Sequence, residues 1–168
     1  MHEEALTKEA AALLPFFERF DNFYLAGGTA LALQIGHRLS VDFDFFSHES
    51  LPENLLKKVK RTFEGKQLSV TYSAPEQLNL IIDGVKVTFF NYPYQIIYPF
   101  ASYGGMRLAS ILEIALMKSF SIGKRLSYKD YIDWHFMLFD NRVSLSEVID
   151  GAKKKFGADF NDRLFLGQ

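Results

Sequence analysis

The chain contains no cysteine among its 168 residues. That absence removes disulfide frameworks, thiolate zinc sites, iron–sulfur ligation and cysteine nucleophiles together. Carboxylates, imidazoles and hydroxyls remain to carry any chemistry. An excess of charge is missing as well: 19 basic and 20 acidic side chains leave a formal net charge of -1. No global field therefore draws the protein to nucleic acid or to an anionic membrane, and any RNA contact must be a local patch. No apolar run approaches the roughly 18–20 residues that cross a bilayer. Glu3, Glu4, Glu9 and Glu18 interrupt the N-terminal region, which lacks the basic start and continuous apolar stretch of a signal peptide. The expectation is a cytoplasmic protein with no membrane partner. Proline, glycine and serine are scattered, without a repeat period or a linker-like stretch. With 48% apolar and 15% aromatic residues, the chain can bury enough surface to fold as one unit. The expected organisation is a single domain over 1–168, with a sheet-containing core over about 1–100 and a helical part over about 106–168.

Leu6, Leu13, Leu14, Phe17 and Phe20 recur at helical spacing, which predicts an amphipathic first helix ending near Asp21 and Asn22. A short strand from Phe23 to Ala26 follows. Gly27-Gly28 breaks it, Thr29 is a suitable N-cap, and Ala30 to Ile35 predicts a helix that stops at Gly36. Val41, Phe43 and Phe45 alternate with Asp42 and Asp44, the period-2 signature of a strand with one buried and one polar face, so both aspartates point the same way. A helix opening at Ser50 or Pro52 runs through Leu55, Leu56, Val59 and Phe63 and closes at Gly65. Strands from Gln67 to Ser73, Leu78 to Ile82 and Val85 to Phe90 come next, the last two joined by Asp83-Gly84, a tight-hairpin signal. A loop rich in Tyr, Pro and Gly, Tyr92 to Gly105, precedes helices from Ala109 to Lys124, Tyr128 to Phe139 and Ser144 to Phe156, the last with Ser144 and Glu147 as a capping box. The class is α/β or α+β: a small, mixed, twisted sheet flanked by helices, with a helical C-terminal half.

The chemistry concentrates between Gly27 and Asp44. Glycines let a phosphate approach the backbone, and the unsatisfied N–H groups and dipole at a helix start bind anionic oxygen. Two carboxylates about 6.5 Å apart on a strand repel by roughly 2.5 kcal/mol at an effective dielectric of about 20, unless a cation lies between them. Magnesium, which prefers hard oxygen ligands and shares its shell with substrate phosphates, relieves that repulsion and couples the acids to the glycine turn. Singly, the glycines are equally a plain strand-to-helix turn and the acids the wet face of an edge strand; the functional reading comes from their conjunction. Arg38 and Ser40, between the two halves, are candidate phosphate contacts, while His37 reads as a helix-end cation. Lys118 and Arg125 fall about 20° from eclipsed on the predicted helix, facing a triphosphate together or snorkelling as surface cations. Asp130 and Asp133 share a face of the next helix and would bind an acceptor, act as a base or compensate the helix dipole. Phe89, Phe90, Tyr92 and Tyr94 offer stacking surface, although 17 phenylalanines make core packing the ordinary fate of such rings, and Trp134 reads as core.

The run Tyr24-Leu25-Ala26-Gly27-Gly28-Thr29-Ala30-Leu31-Ala32-Leu33 through Gly36-His37-Arg38-Leu39-Ser40-Val41-Asp42-Phe43-Asp44-Phe45-Phe46 resembles the AbiEii/AbiGii toxin branch of the polymerase-beta-like nucleotidyltransferase superfamily. The resemblance continues in Asp83 to Phe90 with Tyr92-Pro93-Tyr94, and again in Ile114 to Lys118, Lys124-Arg125 and Lys129 to Asp133. It implies a minimal nucleotidyltransferase fold that uses magnesium, or manganese, to move a nucleoside monophosphate from a nucleoside triphosphate to an acceptor hydroxyl. By position it implies phosphate contact for Gly28 and Thr29; Gly27, Arg38, Ser40 and Arg125 join them as nucleotide-binding candidates from the reading of the residues themselves. It implies metal binding for Asp42 and Asp44, triphosphate contact for Lys118, and the late acidic motif for Asp130. It also implies the toxin half of a toxin–antitoxin or phage-defence pair, with a cognate antitoxin protein as partner and RNA such as tRNA as candidate acceptor. One departure is visible: where many nucleotidyltransferases carry a third carboxylate on a neighbouring strand, this chain has Val87, Thr88 and Phe89. That keeps open a rival expectation, a non-catalytic nucleotide-binding or protein-interaction module on the same fold.

Overall fold

The computed structural model describes residues 1–122 and 127–167. The strands are β1 (Tyr24–Ala26), β2 (Asp42–Ser47), β3 (Leu68–Ala74), β4 (Gln77–Ile82), β5 (Val85–Asn91), β6 (Ala101–Tyr103) and β7 (Met106–Leu108). They form one mixed sheet in the order β3-β4-β5-β2-β1-β7-β6. At its centre β2 pairs parallel with β5 and antiparallel with β1. Among the helices are α1 (Lys8–Ala11), α2 (Leu14–Phe17), α3 (Gly27–Ile35), α4 (Leu55–Thr62), α5 (Ile111–Ser121), α6 (Tyr128–Phe139), α7 (Leu145–Phe156) and α8 (Asp162–Leu166). This is the mixed α/β class expected from the alternating patterns, a twisted mixed sheet flanked by helices with a helical C-terminal half.

The alternation along β2 sorts its side chains between two environments. Phe43 and Phe45 are buried on one face, where Phe17 lies 4.7 Å from both rings and Phe20 lies 5.1 Å from Phe89 of β5. Phe63, capping α4, joins the same group. On the opposite face Asp42, Asp44 and Phe46 are half-buried. The Asp83–Gly84 turn between β4 and β5 has both residues at positive φ (47° and 81°), the backbone that a two-residue hairpin requires. Ser144 and Glu147 form the complete capping box at the start of α7.

Several boundaries differ from the sequence expectation. The N-terminal helix is broken into a 3-10 turn at Glu3–Ala5 and the short α1 and α2: the backbone is extended at Leu6 and Thr7, where Thr7 caps α1, and Pro15 has no N–H to continue a helix from Ala11 into α2. Thr29 does not cap α3: the helix starts at Gly27, with Ala26 at the N-cap, and Thr29 lies inside its first turn. The stretch read as a loop before α5 contains the β6–β7 hairpin, turned by Gly104 and Gly105 at φ of 54° and 76°. Three-residue strands are too short for period-2 alternation to register. α5 runs from Ile111 to Ser121, shorter than the predicted span. No helix among the described residues is long and apolar enough to cross a membrane.

A buried ion pair fixes the segment between β5 and β6. Glu113 of α5, fully buried, accepts the backbone N–H of Ile97 and Tyr98 at 3.1 Å each and pairs with Lys155 of α7 at 2.6 Å. Lys155 also donates to the Gln95 carbonyl. Burial lowers the Lys155 ammonium pKa, and Glu113 opposes the shift.

The phenylalanine layer sets a stability expectation. Phe43→Ala removes a ring with no solvent exposure and should cost about 3–5 kcal/mol, read as a lower denaturant midpoint with an unchanged m-value.

Candidate functional site

Gly27 joins the end of β1 to α3 at φ +68°, a left-handed conformation that a side chain would strain. Ala26 lies opposite Asp44 in the β1–β2 register. An added Cβ at Gly27 would sit 3.2 Å from Asp44 Oδ2, so the missing side chain is what lets the carboxylate approach the turn. Asp42 and Asp44 share the open face of β2, opposite Lys86 and Thr88 of β5 respectively. Behind them Thr29 and Ser40 are buried, their hydroxyl oxygens 2.7 Å apart. The Thr29 hydroxyl also donates to the Asp42 carbonyl and lies 3.4 Å from Asp42 Oδ1. These two hydroxyls tie the first turn of α3 to the start of β2, directly behind the carboxylate row.

Beside Gly28 lies a compact charged cluster. The Asp133 carboxylate of α6, with no solvent exposure, accepts His37 Nε2 at 2.6 Å, Arg38 Nε at 2.7 Å and Arg38 Nη2 at 3.1 Å, and pairs with Lys118 Nζ of α5 at 2.7 Å. Lys118 also donates to Asp130 Oδ1 at 2.6 Å. An added Cβ at Gly28 would lie 2.2 Å from Arg38 Nη2, so this glycine gives the guanidinium its place against the first turn of α3. Burial pushes the Asp133 carboxyl pKa up, but the hydrogen bonds from His37 and Arg38 and the charge of Lys118 outweigh it and hold the group well below the usual carboxylate range.

Asp44 and, from the charged cluster, Lys118 meet at a cavity of about 170 Å³ lined by Gly27, Asp44, Phe46, Tyr92, Met117 and Lys118, among others. Its apolar walls come from the sheet and from α5; burial pushes the Tyr92 hydroxyl pKa up, keeping it a neutral donor. A larger concavity of about 450 Å³ includes Tyr24, Ser47, His48, Phe100 and Arg107. That concavity contains none of the glycine turn, the aspartates or Lys118, and Arg107 already stacks on Phe100 and donates to the Asp21 carbonyl. The smaller cavity is the candidate active site.

The structure thus brings Gly27, Asp44 and Lys118 to one cavity; Asp42 shares the β2 face of Asp44, Asp130 pairs with Lys118, Arg38 lies against Gly28, and Thr29 and Ser40 are buried. Arg125 lies outside the described residues, and α5 ends at Ser121. Asp133 and His37 are the members that sequence reasoning left unassigned. The available signal was an acid, Asp133, set among the apolar Ile132, Trp134 and Met137 of one helix, a position where only a paired charge is tolerated. Among the described residues no cluster of three or more His, Cys, Asp or Glu could hold a metal ion. Asp42 and Asp44, half-buried on one face of β2, are the hard-oxygen side chains of the site, of the type that shares an ion such as magnesium with substrate phosphate and water.

A family model described as "Nucleotidyl transferase AbiEii toxin, Type IV TA system" matches residues 11–101. An uncharacterized protein of Aquifex aeolicus (strain VF5) is 33% identical over 138 residues, which make up 81% of this chain and 67% of that protein. Among solved structures, the JHP933 protein of Helicobacter pylori is similar with a TM-score of 0.64 at 20% identity, over 94% of this chain and 78% of its own. The Megavirus polyadenylate synthase is similar with a TM-score of 0.56 at 12% identity, over 79% of this chain but 32% of its own. At these identities the solved structures speak for the fold.

Two expectations follow from the site's geometry. Gly27→Ala should destabilise the protein by about 1–2 kcal/mol, the usual cost of a left-handed non-glycine residue, measured by thermal or denaturant unfolding. Asp133 contributes stability that is fully present above its unfolded pKa of about 3.9 and is lost as pH falls through the lowered folded value. Asp133→Asn should therefore show lower stability at neutral pH and a shallower decline below about pH 4 than the wild type, read from unfolding midpoints across pH.

Proposed function

Because the chain belongs to the nucleotidyltransferase AbiEii toxin family, we propose that it moves a nucleoside monophosphate from a magnesium-bound nucleoside triphosphate to an acceptor hydroxyl, with release of pyrophosphate. The observation that carries this reading is the shared cavity: Gly27, Asp44 and Lys118 line one space. Asp42 and Asp44 would hold the ion, which when bound neutralises phosphate charge and orients the reacting oxygens. The turn at Gly27 presents the start of α3 and its unsatisfied N–H groups to anionic oxygen. Lys118 supplies a cation at the opposite wall, and Phe46, Tyr92 and Met117 supply apolar surface against which a base can stack. Catalysis in this arrangement is positional and electrostatic, with no covalent intermediate on the protein.

The acceptor we propose is RNA, with tRNA as the first candidate, and the biological role is that of the toxin in a toxin–antitoxin pair. The family description, which names a toxin of a type IV system, supports this role. The near-neutral charge of the chain calls for a local RNA contact rather than a long-range field.

The test is incubation with each α-labelled nucleoside triphosphate, magnesium and total RNA. Label should pass to RNA from at least one of the four and should stop when magnesium is chelated. Transfer from none of them would overturn the proposal in favour of a binding module. Asp42→Asn and Asp44→Asn should each reduce transfer by at least about 100-fold, since a neutral amide is a poorer ligand for the ion. Asp42→Asn should also keep or raise the melting temperature, because it removes one of two like charges on one strand face. Transfer at the wild-type rate in both variants would exclude these acids as the metal site. Lys118 is a less clean probe: it is buried and shared by Asp130 and Asp133, so Lys118→Ala should lower stability as well as triphosphate affinity.

A further inference from the structure

The charged cluster converges on one carboxylate. We infer that Asp133 is the positioning residue of the site, setting the places of both Arg38 and Lys118 from a single buried point. The inference rests on the reading that the cavity takes a triphosphate.

Each oxygen of Asp133 meets two donors: Oδ1 accepts from His37 Nε2 and Arg38 Nε, and Oδ2 from Arg38 Nη2 and Lys118 Nζ, all between 2.6 and 3.1 Å. A carboxylate has about four lone-pair directions, so Asp133 has no capacity left for an acceptor hydroxyl, and its lack of solvent exposure closes the route for one. It therefore serves neither as base nor as acceptor ligand. What remains is geometric. Two N–H groups of the Arg38 fork face Asp133, a third donates to the Leu39 carbonyl at 3.1 Å, and the guanidinium lies over Gly28, where even a methyl group would displace it. The planar fork has one orientation that satisfies all of these contacts. Lys118 gives one donor to Asp130 and one to Asp133, leaving the third of its ammonium donors for the cavity it lines. His37, its side chain 1% exposed, completes the shell around Oδ1. One side chain of α6 thereby links the loop after α3 to α5, holding Lys118 at the cavity and Arg38 against the first turn of α3, and a small displacement of groups that position a phosphate is costly to both binding and rate.

The experiment measures equilibrium binding of ATP, GTP, CTP and UTP, each with magnesium, to the full chain and to Arg38→Ala, Asp133→Asn, their double variant and Arg38→Lys. For the triphosphate bound most tightly by the wild type, Arg38→Ala and Asp133→Asn should each weaken binding about tenfold or more. The double variant should be no weaker than the worse single one, because Arg38 contributes only while Asp133 holds it. Arg38→Lys keeps the charge without the fork and should bind about as weakly as Arg38→Ala. This variant leaves the buried carboxylate in place and decides the matter if Asp133→Asn does not fold. Additive losses in the double variant, or wild-type affinity in Arg38→Lys, would overturn the assignment of Asp133. A wild-type protein that binds none of the four triphosphates would overturn the underlying reading instead.

Discussion

Everything in this protein depends on the two-residue period of β2. One six-residue strand, Asp42–Ser47, places Phe43 and Phe45 in the aromatic core and Asp42, Asp44 and Phe46 on the opposite face. It does so while paired on both sides, with β1 and with β5. A slip of one residue in either register would bury two carboxylates and expose two phenyl rings, so core and site enforce the same alignment. The Phe17 ring, in contact with both Phe43 and Phe45, adds a packing restraint to the hydrogen-bonded one. The strand that carries the acids is thus among the best-anchored parts of the molecule, which suits a site whose chemistry is positional.

The second constraint is electrostatic. Buried charge is tolerated only when paired and hydrogen-bonded, and the fold contains two such arrangements with different consequences. Glu113 and Lys155 fasten the segment after β5 to α5 and α7, holding the strand end that carries Tyr92. The cluster around Asp133 holds Lys118 at the wall of the cavity and Arg38 against Gly28. Both join parts of the chain far apart in sequence, so the helical C-terminal half contributes one wall of the cavity as well as its cationic donors. The sheet contributes the carboxylates and the glycine turn. Neither half is a site without the other.

Glycine has two separate uses within two adjacent residues. Gly27 supplies a left-handed backbone at the end of β1 and the space for the Asp44 carboxylate. Gly28 has no such backbone need; its missing side chain is space for the Arg38 guanidinium. A pair that in sequence marks a phosphate-binding turn therefore also accommodates two side chains of opposite charge, Asp44 at Gly27 and Arg38 at Gly28.

Much of this was legible in the sequence. The period of β2, the Asp83–Gly84 hairpin, the Gly36 stop, the capping box at Ser144 and the extent of α6 are local signals, decided within a few residues by backbone sterics and side-chain alternation. The conjunction of Gly27 with Asp42 and Asp44 was legible as a pattern, a glycine turn opening a helix and two acids on one strand face; the antiparallel pairing of β1 with β2, which sets Ala26 opposite Asp44, is what brings them together. Apolar spacing at the N-terminus continues through Pro15, whose missing N–H interrupts the helix there, and the β6–β7 hairpin is too short to show alternation. What no local pattern contained was the assembly around Asp133. Arg38 and Asp133 lie on opposite sides of most of the sheet in chain order, and whether an acid on a helix is a solvated charge or a buried acceptor depends on what the other elements bring to it. Local alternation and a glycine pair are enough to specify the strand that carries the acids and the turn beside it; which cations gather around Asp133 is settled by packing, because pairing a buried charge is a long-range requirement that no propensity satisfies.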